Sequence, residues 1–125
     1  MEVFSYILLI NKMSEGIKMQ INEYQELAKR TANEERKADW LDNGIFGLFG
    51  EGGELADIVK KHKFQGHELN KEELKKELGD VCWYVALIAS ALDTDLESVM
   101  QGNIDKLKAR YPDGFSVDAS VNRSV

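Results

Sequence analysis

From Leu74 to Leu92 apolar residues return every three or four positions, as Leu74, Leu78, Val81, Val85, Ile88 and Leu92. That spacing draws a stripe down one side of an α-helix and does not fit the alternation of a half-buried strand. Within it the stretch Val81–Leu92 (VCWYVALIASAL) carries no charge on any side. At about 100° per residue, Trp83 stands about 180° from the stripe. A helix that is apolar all round must be covered all round. The expectation is an oligomer, most simply a twofold dimer, with Trp83, Leu87 and Ala91 packed against a second copy.

The rest of the chain reads as helix too. A first helix is expected over about Ile21 to Glu34, with Ile21, Tyr24, Leu27 and Ala28 on one side. A second starts at Asp42 or Asn43, either of which can cap it, and runs to about Phe64 before Gly66. The third opens with Asn70 and Glu73 in capping-box spacing, and the fourth repeats that device with Thr94 and Glu97 before Pro112 stops it near Arg110. Connections are short, so an all-α, four-helix-bundle-like domain follows, with antiparallel neighbours. At 125 residues there is room for one domain. It is placed at residues 19–116, with 1–18 as an N-terminal extension, disordered or docked on a neighbour, and 117–125 as a loose C-terminal tail. The apolar start, Val3 to Ile10, is far short of the roughly 20 residues that span a bilayer, and it lacks the basic flank of a signal peptide.

Composition narrows the function. A net charge of −6 and a pI near 4.9 argue against a nucleic-acid polymer as partner, because that needs a basic face. An anionic ligand would have to arrive with a cation. One cysteine fits a reducing, cytoplasmic setting, with Cys82 as a small core residue.

Acids are plentiful, 22 in all, so an i,i+3 pair alone is usually a solvated face. Two pairs differ. Glu51 and Glu54 fall among Leu48, Leu55 and Ile58, and Glu77 and Asp80 flank Leu74, Leu78 and Val81. Carboxylates set in apolar stripes are costly unless paired or bound to metal. On facing helices the two pairs would make an all-oxygen cage for Mg2+, with Mn2+ as a substitute, and not for zinc. A di-iron site is excluded, since no Glu-x-x-His is present; His62 and His67 are taken as surface residues. The run Gly44 to Gly53 (GIFGLFGEGG) is no phosphate loop, having neither GKS/GKT nor G-x-G-x-x-G. Each helical glycine costs about 1 kcal/mol against alanine. Five of them point to close approach, by a helix or by a ligand. On the fourth helix Asn103, Lys106 and Arg110 share a flank, where Lys106 offers a point charge and Arg110 a fork for phosphate oxygens. The bland reading is a solvated basic face.

The run GLFGEGGELADIVKKHKFQGHELNKEELKKELGDVCWYVALIASAL, followed by NIDKLKARYPDGFS, resembles the MazG-type nucleotide pyrophosphohydrolases of the all-α NTP pyrophosphatases. The family's EExxE…ExxD pattern stands here as Gly50-Glu51-x-x-Glu54 and Glu77-x-x-Asp80, with Gly50 in place of the first glutamate. The resemblance implies hydrolysis of an NTP or dNTP to the monophosphate and pyrophosphate. It makes Glu51, Glu54, Glu77 and Asp80 the metal ligands and gives Glu51 the further task of orienting or deprotonating water. It also implies substrate contacts from Asn103 and Lys106, pocket positions for Lys61 and Tyr84, and base stacking by Trp40, for which core packing is the equal alternative. A phosphoribosyl-ATP pyrophosphohydrolase, or a non-catalytic regulatory bundle around a structural ion, are the competing readings.

Overall fold

The computed structural model describes residues 3–16 and 18–123. The outermost ends of the expected extension and tail lie outside those residues. Among the described residues every regular element is helical: α1 Val3–Ser14, α2 Ile21–Lys29, a 3-10 segment Glu34–Asp39, α3 Trp40–Gln65, α4 Lys71–Ala91, α5 Leu96–Arg110 and α6 Val117–Val121. The four expected helices are α2 to α5.

Local chemistry sets the boundaries. Asn70 caps α4 as expected, its Oδ1 accepting from the Glu73 amide at 3.0 Å. Gly66, at φ 74°, ends α3 in the left-handed region that glycine enters without penalty. Two boundaries differ from expectation. The α5 cap is Asp95, whose Oδ1 accepts from Ser98 N at 2.9 Å, and not Thr94; the Glu97 amide is instead taken by Asn22 Oδ1. The first helix stops at Lys29, and α3 begins at Trp40, ahead of Asp42, because the 3-10 segment leads straight into it. The tail is also not loose throughout: Ser116 Oγ accepts from Ala119 N and starts α6.

α3 and α4 form the principal pair, and α2 covers α4 from another side. This corrects the expected role of Trp83. Its indole N–H donates to Thr31 Oγ1 at 2.8 Å and to the Ala28 carbonyl at 3.2 Å, so its arc of α4 is occupied by α2 and its flanking turn. Leu87 is only 4% exposed in the single chain. The face assigned to a second copy is therefore partly taken up by α2, with Trp83 and Ala91 half-buried, whereas Leu78 and Leu92, expected in the core stripe, are 54% and 58% exposed. Cys82 is exposed as well.

α5 is tied on through a buried amide. Gln25 of α2 donates to Ser90 Oγ and the Thr94 carbonyl, and accepts from Leu96 N at 2.6 Å. A buried amide is stable only with its partners in place, and Gln25 has them on both sides. α1 docks on α2 of its own chain: Lys12 Nζ meets Glu23 Oε1 at 2.6 Å, and the Arg30 guanidinium lies 4.0 Å from the Tyr6 ring centre and bonds its hydroxyl.

Candidate active site

The α3–α4 seam begins closed and ends open. At its closed end a Cβ on Gly44 would meet Ile88 Cγ1 at 2.6 Å, and one on Gly47 would collide with the ring of Tyr84. These two glycines let the helices touch. Gly50, Gly52 and Gly53 meet nothing within 4 Å, so close approach by α4 does not explain them.

One turn beyond Gly47 the seam turns acidic. Glu51 from α3 and Glu77 and Asp80 from α4 each place a carboxylate oxygen within 4.8 Å of the others. Glu51 and Glu77 are half-buried and Asp80 is exposed. The carboxyl of Glu77 is held above the ordinary glutamate range, first by a hydrogen bond shared with Glu51, then by partial burial and by the charges of Glu51, Asp80 and Glu73. Like charges this close cannot all ionise freely. A hard divalent cation answers that electrostatic demand and the all-oxygen donor set at once, so the residues present fit such an ion.

Glu54, expected as a fourth ligand, does not join that group. It stands exposed at the edge of an open recess of about 300 Å3, shared with Lys61, Asn70 and Glu73. Lys61 is fixed there by Asp57, Nζ to Oδ2 at 2.6 Å, which pushes the ammonium up and the Asp57 carboxyl down from their ordinary values. Asp57 also holds Lys60 at 3.1 Å. Asp57 was not among the expected residues, although its i,i+4 spacing to Lys61 is a legible pairing signal.

The remaining candidates divide. Tyr84 lies on Gly47, between the closed and acidic parts of the seam, edge-on to Trp83 with ring centres 5.0 Å apart. Trp40 takes the core-packing alternative: it is 2% exposed and its indole N–H is spent on the Asn33 carbonyl at 2.9 Å. Asn103 and Lys106 are exposed on α5, whose packing is on α2 and more lightly on α4; Arg110 is half-buried at its end. The chain therefore gathers three of the four expected acids, whereas Asn103, Lys106 and Arg110 lie on α5, which packs mainly on α2.

The model of the MazG nucleotide pyrophosphohydrolase domain matches residues 43–115, from the start of α3 through α5, and so contains the whole acidic seam. The chain belongs to the MazG family. The gene 37 protein of Mycobacterium phage L5 is 37% identical over 114 residues, covering 84% of this chain and 100% of that protein. The uncharacterized protein YvdC of Bacillus subtilis is 32% identical over 88 residues, covering 60% of this chain and 83% of that protein. No solved structure gives a significant match. α1 and α2 lie outside the matched MazG region. No described helix is long and apolar enough to cross a membrane.

Proposed function

We propose that this MazG protein is a magnesium-dependent nucleoside triphosphate pyrophosphohydrolase, releasing pyrophosphate and a monophosphate from an NTP or dNTP. The observation that carries this reading is the convergence of Glu51, Glu77 and Asp80 from two helices. Those three would hold Mg2+, or Mn2+ in its place, with Glu54 completing the set from the rim of the recess. Bound there, the ion would neutralise phosphate-oxygen charge in the transition state.

The chain's own groups do the rest. Glu51, held across the seam from Glu77 and Asp80, accepts the proton of the attacking water. The water oxygen bonds to the α-phosphorus, the bond to the bridging oxygen breaks, and pyrophosphate leaves with the electron pair. Lys61, steadied by Asp57, faces the recess where phosphate oxygens would lie. Tyr84 bounds the site on the side of Gly47, and Asn103, Lys106 and Arg110 are assigned to the substrate. The working form is a cytoplasmic homodimer or dimer of dimers, and a nucleic-acid polymer is not a substrate.

Hydrolysis in oxygen-18 water tests the reading, with all common (d)NTPs supplied singly. Label should appear in the monophosphate, with unlabelled pyrophosphate as co-product. Orthophosphate as the first product would overturn it. Metal binding without turnover of any nucleotide would favour the regulatory bundle, and turnover of phosphoribosyl-ATP alone would favour the second enzyme reading.

A further inference from the structure

The seam between α3 and α4 continues past the acidic trio. Glu54 follows Glu51 by three residues on α3, and Glu73 precedes Glu77 by four on α4. Both line the recess of about 300 Å3, together with Asp57, Lys61 and residues of the 66–70 connection. On both helices, then, the recess begins one helical turn, about 5.4 Å, beyond the trio. That step is close to the separation of the first and third phosphorus atoms in an extended triphosphate. A nucleotide whose α-phosphorus sits at Glu51, Glu77 and Asp80 would lay its terminal phosphate in the recess. The tail of a diphosphate would fall short of it.

The charges of the recess make such a tail dependent on one group. Glu54, Asp57, Glu68 and Glu73 line it with carboxylates, and against them stand Lys61 and His67. Asp57 Oδ2 takes Lys61 Nζ at 2.6 Å, which uses one of the three donors of the ammonium and leaves two. The bond to Asp57 first, and then the charges of Asp57, Glu54 and Glu73, hold that ammonium above its ordinary value, so Lys61 stays charged among these acids. Asp57 lies one turn before Lys61 on the same helix, and it grips Lys60 as well, at 3.1 Å. The flexible four-carbon stem of Lys61 is thereby held at the recess with its head fixed by a partner on its own helix.

We infer that the Asp57–Lys61 pair selects substrates by phosphate number: Lys61 binds the terminal phosphate of a nucleoside triphosphate in the recess beside Glu54 and Glu73, and Asp57 is the positioning residue that holds Lys61 there. This rests on the pyrophosphohydrolase reading and adds to it the group that separates triphosphates from diphosphates. The selectivity has an attractive and a repulsive part. With Lys61 in place, the terminal phosphate gains a charge-assisted contact. Without it, the same phosphate faces Glu54, Glu68 and Glu73 directly, whereas a diphosphate does not reach them.

Calorimetric binding of non-hydrolysable α,β-methylene deoxynucleoside triphosphates and diphosphates to the full chain, with magnesium present, tests it. The unmodified protein should bind the triphosphates at least about tenfold more tightly. Lys61→Gln should lower triphosphate affinity about ten- to hundredfold, the scale of a lost hydrogen bond to a charged group, and diphosphate affinity far less. Lys61→Arg, which keeps the charge, should restore most of the preference. Asp57→Asn should also reduce the preference, and in turnover it should raise KM for the triphosphate more than it lowers kcat. A merely structural role for the pair would shift both phosphate lengths together, and that result would overturn the inference. Equal affinity of the unmodified protein for the two lengths would overturn it too, as would a Lys61→Gln variant that keeps the preference. An Asp57→Asn variant with the full preference would overturn the positioning role. Binding requires no turnover, so a Lys61-dependent preference in an inactive protein counts against the hydrolase reading alone. Turnover without that preference counts against this inference alone.

Discussion

The ring of Tyr84 occupies the space that a side chain on Gly47 would need, and this contact sets the spacing of α3 and α4 one turn before the acidic cluster. Gly47→Ala forces the ring or a helix to move. Overpacking of this kind costs about 1–3 kcal/mol, and it should also weaken metal binding, since Glu51 rides on the displaced helix. Gly102, in α5 with nothing within 4 Å, is the contrast. Gly102→Ala should stabilise by about 0.5–1 kcal/mol. Urea unfolding of the two variants, with manganese titration of the first, checks both.

Activity should disappear with a chelator and return with magnesium or manganese. Asp80→Asn and Glu77→Gln should lower turnover on the order of a hundredfold or more, the scale of losing several kcal/mol of charge stabilisation. Glu54→Gln should reduce metal affinity less than Glu51→Gln, because Glu54 stands outside the converging group. Calorimetric titration of the four variants ranks them; a larger loss at Glu54 than at Glu51 would contradict the geometry.

Glu77 gives the metal-free protein a pH signature. Its carboxyl is raised in the fold, so the folded state holds a proton that the unfolded chain releases at lower pH. The resulting stability is complete below the ordinary glutamate value and is lost as pH rises through the elevated one. Metal needs the deprotonated form, so its affinity should climb across that same window. Glu77→Gln should flatten the stability profile there, as measured by unfolding at a series of pH values with chelator present.

Gln25→Leu removes an amide that serves three partners across α2, α4 and α5. The Leu96 N–H and the Thr94 carbonyl lose their partner, and such orphaned groups cost about 1–3 kcal/mol each when buried. A loss of at least about 2 kcal/mol in chemical unfolding is expected.

Helix content and the acid pairs were legible because each depends on spacing within one helix. Asn70 could be read as a cap, and Glu77 and Asp80 as a pair, without knowing any neighbour. What spacing does not contain is rotation. A helical wheel places Trp83 opposite Leu74 and Leu78, yet only packing decides that α2 covers the Trp83 arc and leaves Leu78 exposed. The same holds for Glu54, which projects about 60° from Glu51: α3 is turned so that Glu51 points at α4 and Glu54 at the recess. Asp95 displaced Thr94 as the α5 cap for a local reason, since its carboxylate takes both the Ser98 amide and the Ser98 hydroxyl.

The bonds of Gln25 join residues 65, 69 and 71 positions apart, whereas only the short stretch 66–70 separates α3 from α4. Contacts that close short loops form before those that close long ones. The acids are thus expected to be gathered early in folding, on a hairpin whose loop closes at less entropic cost than the links that fasten α2 and α5. A nascent chain long enough to include α4 already contains Glu51, Glu77 and Asp80, so divalent cation is expected to favour their hairpin while the remaining helix is still being made.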